Sequence, residues 1–366
     1  MILGLYLVRR LAAAFGLIGG GFFGMLLLFE VVEMMRRFGG EGTPMQQILW
    51  LSLLRVPATF YQILPLLMIL SSMTMFLGLA RSSELVVMRG AGRSAMRAIR
   101  EPFVAALLLG GFAVVVLNPL VASASRQYQR QMQALVSPDA QAQISIEGTA
   151  IWLRQGDARG QTVIRAQTVE SDGLGFDRVS FLLFERDTGL PLTRIEAARA
   201  RLEPGLWRLE QAKRWDLEAL NPERAAQTFD VLELPSDLTG ERIRESFGRI
   251  SSQSIWDLPD FIRALDRAGL SSRPHRAQFQ AELALPMLMG AMMLVGAVLS
   301  LRHERAGNAG TRILITVLAG FALFFLRNFA QVLGENGQIP LVLAIWTPPL
   351  ASMMLALGLL LHLEDG

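Results

Sequence analysis

The sequence predicts an α+β membrane protein: six transmembrane helices, with a periplasmic β domain of sandwich or jelly-roll type inserted between helices 3 and 4. Three observations predict it. Hydrophobic residues make up 52% of the 366-residue chain and charged residues only 18%, with a mean hydropathy of +0.37, whereas a soluble domain carries about 25% charged residues. Six runs are apolar and long enough to cross a bilayer, which takes about 20 helical residues. A long polar stretch divides those runs three and three, and its patterning is that of strands.

The runs are Leu11–Phe29, Val56–Ala80, Pro102–Ser125, Leu283–Leu301, Ile313–Gly334 and Asn336–Leu363, and only the fifth holds a charge, Arg327. The first is too long for a removed signal peptide and lacks a small-residue cleavage pattern. Pro65 and the Pro348–Pro349 pair read as helix kinks. Residues 1–125 thus carry helices 1–3, residues 126–282 the insert and residues 283–366 helices 4–6.

Arginines set the orientation, because cytoplasmic loops collect basic residues. Arg9 and Arg10 precede the first run. Arg81, Arg89, Arg93, Arg97 and Arg100 lie between runs two and three, and Arg302, Arg305 and Arg312 between runs four and five. The opposite side holds only Arg36, Arg37 and Arg55 in its short loops. Both termini are expected in the cytoplasm and residues 126–282 in the periplasm.

Within the insert, β-rich stretches fall at Thr149–Arg154, Gln161–Val169, Arg178–Arg186, Pro191–Leu202, Gly205–Lys213 and Ala226–Leu234. Turn signals such as Ser171–Asp172–Gly173 and Glu203–Pro204–Gly205 separate them. The edges of such a sheet can pair with another sheet. A helix is expected at Asp257–Ala268, where Leu258, Phe261, Ile262 and Leu265 recur at helical spacing and Gly269 can stop it.

Whole-chain readings as a soluble enzyme, a nucleic-acid binder or a secreted protein are excluded by the six runs, and a net charge of +3 is too mild for nucleic acid. The chain has no cysteine, so it has neither disulfides nor thiolate metal sites. Its one lysine, Lys213, follows Glu210–Gln211–Ala212 with no glycine-rich lead-in. A phosphate-cradling GxxxxGK[ST] loop is therefore missing, and any ATP hydrolysis must come from a separate subunit. His275, His303 and His362 are too scattered for a zinc site. A GxSxG elbow is absent. The apolar runs hold no carboxylate for an ordinary ion relay. The expectation is a non-catalytic chain without a metal or cofactor of its own.

Three features stand out as candidate sites. Gly16, Gly20 and Gly24 share one face of the first helix and permit close helix contact. Static packing within the bundle is the plainer reading, and a face that opens against a partner is the other. At the outer end of that helix, Arg36 and Arg37 could grip a phosphate or carboxylate with their forked donors. Alternatively they snorkel to the interface and pair with Glu33. On the cytoplasmic side, Ser82 or Ser83 could cap a short helix over residues 82–92. Leu85 and Met88 would form its apolar face, Glu84 and Arg89 would flank it, and Gly90 and Gly92 would end it. Such a helix can dock in a partner's groove or lie on anionic lipid.

The segment Leu79-Ala80-Arg81-Ser82-Ser83-Glu84-Leu85-Val86-Val87-Met88-Arg89-Gly90-Ala91-Gly92 resembles the coupling-helix segment of the LptF/LptG family, the permease subunits of the lipopolysaccharide export ABC transporter. The stretch from Trp256-Asp257-Leu258-Pro259-Asp260-Phe261-Ile262 through Ala268-Gly269-Leu270 to Ala284-Leu285-Pro286 is similar to the same family, as is the closing Leu360–Gly366, and the likeness is greatest to its G-type members. The resemblance covers essentially the whole chain. It implies a periplasmic β-jellyroll and a partner permease of the F type. It also implies an LptB ATPase dimer that holds ATP and Mg, the single-span subunit LptC, and an LptA-type jellyroll bridge toward the outer membrane. Lipopolysaccharide would be drawn from the inner membrane and passed to that bridge. Glu84 matches the family's coupling glutamate, which favours docking over lipid contact. Arg36 and Arg37 match a basic pair facing lipopolysaccharide phosphates, although relatives can carry Lys in the pair and a basic residue near Glu30. Arg327 departs from an acidic position in some relatives, and no role passes to it. The other reading is a mechanotransmission protein of the FtsX/MacB kind, against which the six spans count.

Overall fold

The computed structural model describes residues 2–39, 43–82, 84, 95–136, 143–147, 150–157, 160–169, 174–185, 190–236, 253–267, 271–301 and 309–365. The membrane part begins with α1 (Ile2–Phe38), α2 (Met45–Gln62), α3 (Leu64–Arg81) and α4 (Ala95–Phe112). A π-helical turn at Ala113–Leu117 leads into α5 (Asn118–Val136). After the insert come α7 (Arg273–Leu301), α8 (Ala309–Glu335) and α9 (Leu341–Asp365). Among the described residues, six helical stretches are long and apolar enough to cross a membrane: Leu3–Phe38, Leu64–Arg81, Ala98–Met132, Arg273–Ser300, Leu314–Glu335 and Leu341–His362. The fold class is the one the sequence predicts.

Two differences from the sequence reading have physical causes. The run Val56–Ala80 is not one helix. Ile63, at φ −92° and ψ 0°, closes α2 and opens α3. Pro65 stands in the first turn of α3, where its missing N–H costs nothing. The kink expected at Pro65 is thus a break two residues earlier. The spans also carry more charge than the apolar runs suggested. Glu30 and Glu33 lie within the first, Glu101 within the third and Glu282 within the fourth. Helices continue past the hydrocarbon-like residues that define a run, so hydropathy alone clips them.

Two compact units divide the chain, residues 1–128 with 276–366 and residues 129–275. In the first, α7 is the buried centre: its most apolar stretch is 78% buried, against 11% for α1 and for α8. Small residues let backbones approach it. A Cβ on Gly110 of α4 would stand 2.5 Å from the Pro286 Cα, and one on Gly296 would stand 2.7 Å from the Ile69 carbonyl oxygen. The Ser72 hydroxyl of α3 donates to the Met293 carbonyl at 2.7 Å.

The second unit holds one antiparallel sheet. Its strands are β1 (Gln143–Glu147), β2 (Ala150–Asp157), β3 (Gly160–Ala166), β4 (Thr168–Val169), β5 (Gly175–Glu185), β6 (Pro191–Glu203), β7 (Leu206–Asp216) and β8 (Gln227–Pro235). They run in the order β1-β2-β3-β5-β6-β7-β8, with β4 paired to β5. Such sequential pairing needs only short turns, and Gly205 at φ +85° supplies the one between β6 and β7. One face is a core in which Trp207 meets the rings of Phe176 and Phe181 edge-on at 5.3 and 5.7 Å. Arg178 and Gln211 adopt φ of 50° and 51° and drop out of the ladders on either side of β6, with the register unchanged across them; the register between β5 and β6 shifts instead at Leu183/Phe184. The expected helix is present as α6 (Leu258–Arg267). β1 is an addition the sequence reading did not contain.

Adjacent glycines test the packing of α7. Gly110 touches the Pro286 backbone, while a Cβ on Gly111 would meet nothing within 4 Å. Gly110→Ala is expected to destabilise the detergent-solubilised protein by about 1–3 kcal/mol, as overpacking does. Gly111→Ala should be neutral or slightly stabilising. Thermal unfolding of the two variants side by side gives the comparison.

Candidate functional site at the two ends of the first helix

Both sequence-derived clusters lie on or against α1. At its C-terminal end, Arg36 is engaged by its own helix: Nη2 and Nε reach the two Glu33 oxygens at 2.8 and 3.1 Å. This is the i, i+3 pairing that helix geometry favours. Arg37 differs. Its guanidinium lies 5.3 Å from the Phe38 ring centre, and among the described residues it forms no ion pair. The two arginines are therefore unequal: one fork is occupied by a carboxylate and the other is open to an anion.

A third basic residue belongs to this end. Arg55 of α2 approaches Glu30 of α1 at 3.3 Å, donates to the Tyr128 hydroxyl of α5 at 3.1 Å and lies over the Tyr128 ring. Glu30 and Arg55 form an ion pair without an aligned hydrogen bond. The contact joins three helices whose residues are 25 and 73 positions apart, so helical periodicity gave no signal for it.

Among the described residues, nothing packs on the glycine stripe. A Cβ at Gly16, Gly20 or Gly24 would meet no atom within 4 Å. Leu17, Met25, Leu28, Phe29 and Val32 of the same helix are exposed, as are Leu318, Phe321, Phe325 and Phe329 of α8. These faces are open to lipid or to another chain.

Near the other end of α1, Glu84 is held by three donors. The Tyr6 hydroxyl reaches Oε2 at 2.9 Å, Arg10 Nη1 lies 2.9 Å from each oxygen, and the Ser82 hydroxyl donates to Oε1 at 2.8 Å. Arg10 Nη1 also donates to the Tyr6 hydroxyl at 2.9 Å. The Ser82 hydrogen bond, followed by those from Tyr6 and Arg10, holds the Glu84 carboxyl below the usual carboxylate range against a partial desolvation. The contact is therefore intact wherever glutamate is ordinarily ionised, and is lost only as pH falls through that lowered value. Leu85, Met88 and Arg89, and the helix expected over residues 82–92 apart from Ser82 and Glu84, lie outside the described residues.

Between the two ends, a polar cluster crosses the bundle. The Tyr61 hydroxyl of α2 donates to Glu282 of α7 at 2.5 Å. Asn118 of α5 bonds the same pair, and Arg327 of α8 supplies a positive charge beside them. Sequence reasoning missed Glu282 because it stands one residue before an apolar run. It gave Arg327 no role because that residue departs from an acidic position in some relatives, and the groups it stands beside lie on three other helices. A buried carboxylate stripped of a donor carries a desolvation cost of about 1–3 kcal/mol. Tyr61→Phe is expected to lower stability by that amount, measured by thermal unfolding in detergent. Phe325→Leu, on the exposed face of the same bundle, should change it little.

Comparison with known proteins places this architecture. The family described as lipopolysaccharide export system permease LptF/LptG matches residues 5–362. The chain is 23% identical over 349 residues to the lipopolysaccharide export system permease protein LptG of Haemophilus influenzae, covering 93% of each. It is 23% identical over 315 residues to LptG of Escherichia coli K12, covering 85% of this chain and 84% of the relative. With a family match that runs from the start of α1 to the end of α9, the chain belongs to the LptF/LptG family of lipopolysaccharide export system permeases.

Proposed function

We propose that this chain is the G-type, non-catalytic permease half of an ATP-driven lipopolysaccharide exporter in the bacterial inner membrane. The observation that carries the reading is the family match over residues 5–362, joined to two spans, α1 and α8, whose outer faces are uncovered among the described residues. An F-type permease is the partner those faces suit. Its helices and the open glycine stripe at Gly16, Gly20 and Gly24 would border a cavity wide enough for acyl chains. ATP and Mg would be bound by an LptB dimer, consistent with the missing phosphate loop. LptC would add a further span and jellyroll, and an LptA-type bridge would receive the lipid. The arginine distribution supports cytoplasmic termini and a periplasmic insert at residues 126–282.

Mechanistically, closure of the ATPase dimer displaces the segment around Glu84, Leu85, Met88 and Arg89. The bundle cavity narrows, and the lipid leaves along the β domain. Arg37 meets the anionic head group first, because its fork is free. Arg36 joins only by exchanging Glu33 for the ligand.

Affinity purification from host membranes, with mass spectrometry of bound proteins and lipids, tests the reading. Recovery of an LptB-like ATPase, a second six-span permease and lipopolysaccharide is expected. An ATPase without sibling permease or lipid would replace the export reading with force transmission to the insert. Arg37→Glu is expected to reduce photo-crosslinking of lipopolysaccharide at the rim by about tenfold or more, the loss of one charge-assisted hydrogen bond. Arg36→Ala should have the smaller effect.

A further inference from the structure

Glu84 raises a question that the export reading leaves open. A carboxylate meant to bind an ATPase directly would be expected to stand free, yet this one is taken by Tyr6 and Arg10 of α1 and by Ser82 at the end of α3. Tyr6 and Arg10 are one turn apart on the same face of α1. The Arg10 guanidinium lies over the Tyr6 ring at 5.7 Å and against Gly78 of α3, 3.6 Å from where a Cβ would stand. The Arg10 and Glu84 side chains are 32% and 36% exposed, so the pair is half withdrawn from water. Its partners are 74 and 78 residues apart in sequence, so the contact joins the cytoplasmic segment to a different helix from the one that carries it.

The helix on the other side of the contact has an unusual shape. α1 runs unbroken from Ile2 to Phe38 and contains no proline. By contrast the chain that follows α3 outward is interrupted at Ile63. From Arg10 to Arg37 is 27 residues, about 40 Å of continuous helix. A push at Glu84 therefore has an uninterrupted path to the outer rim through α1.

We propose that Arg10 and Tyr6 are positioning residues that fasten the Glu84 segment to α1, so that displacement of that segment by the ATPase moves the Arg36–Arg37 rim through α1 as a rigid rod. The proposal rests on the export reading above. In this view Glu84 anchors the coupling segment to α1. Each carboxylate oxygen has two donors, which resists rotation as well as separation. Along its inner side α1 packs on α2, α3 and α4, and among the described residues its outward face is uncovered.

The test uses the complete transporter, purified with its ATPase and reconstituted in vesicles holding lipopolysaccharide, and reads lipid released per ATP hydrolysed. Tyr6→Phe combined with Arg10→Ala is expected to lower that ratio about fivefold or more, the lower end of a usual coupling energy. Arg10→Lys, which keeps the charge, should restore most of it in the presence of Tyr6. A merely structural role would lower yield and rate together and leave the ratio unchanged. A wild-type ratio in the double variant overturns the proposal. Should the double variant fail to assemble, Tyr6→Phe alone decides in the same way: a lowered ratio supports the tie, and a wild-type ratio overturns it. If wild-type protein recovers no ATPase, it is the export reading that fails, before any variant is made.

Discussion

Backbone-to-backbone approach at α7 organises the membrane unit. In hydrocarbon, helices gain nothing by hiding apolar side chains from each other, so association depends on van der Waals fit and on the few polar groups that find partners. α7 offers both. Gly110 and Gly296 bring α4 and α3 to within contact of its surroundings, Ser72 donates to its Met293 carbonyl, and Tyr61 donates to its Glu282. Because α7 takes up these contacts, α1 and α8 are left at the periphery with open faces. The division between a fixed centre and exposed flanks follows from where the small residues stand.

The number and order of spans were legible because bilayer thickness fixes a length and the chain obeys it. The strands from β2 to β8 were legible because turns with glycine, proline or aspartate punctuate the insert. The span ends were not, since a helix continues into charged residues such as Glu30 and Glu282 when these are paired. Ile63 gives no compositional sign of a break; only the Pro65 beyond it hints at one. At the candidate site, the Arg36–Glu33 pair was readable from its spacing of three. The Arg55–Glu30 and Arg10–Glu84 pairs were not, because they join different helices and no single-chain periodicity connects them. The difference between Arg36 and Arg37 likewise depends on which of two neighbours the carboxylate meets, and that is set by helix phase.

Carboxylates on or near α1 decide the state of the arginines at both ends. Glu33 occupies Arg36, Glu30 approaches Arg55, and Glu84 occupies Arg10. The exposed Arg36–Glu33 pair contributes only about 0–1 kcal/mol, so it can be exchanged for another partner without unfolding anything. That property suits a transporter better than a strong bond would. In the export reading proposed above, an anion at the rim would compete with a carboxylate already present. The central cluster at Tyr61 and Glu282 is of a different kind, withdrawn from solvent and slow to exchange.

The π turn at Ala113–Leu117 sits immediately before Asn118, which bonds the Tyr61–Glu282 pair. A π turn accommodates one residue more than the α-helix around it. Winding those same residues as a regular α-helix would instead swing everything downstream by about 100° relative to everything upstream. Asn118 would leave the cluster, and Tyr128 would leave Arg55. The wide turn thus acts as a phase correction between the two halves of the third span. Relatives that lack one residue between Ala113 and Leu117 should wind regularly there and keep the same polar scaffold beyond it.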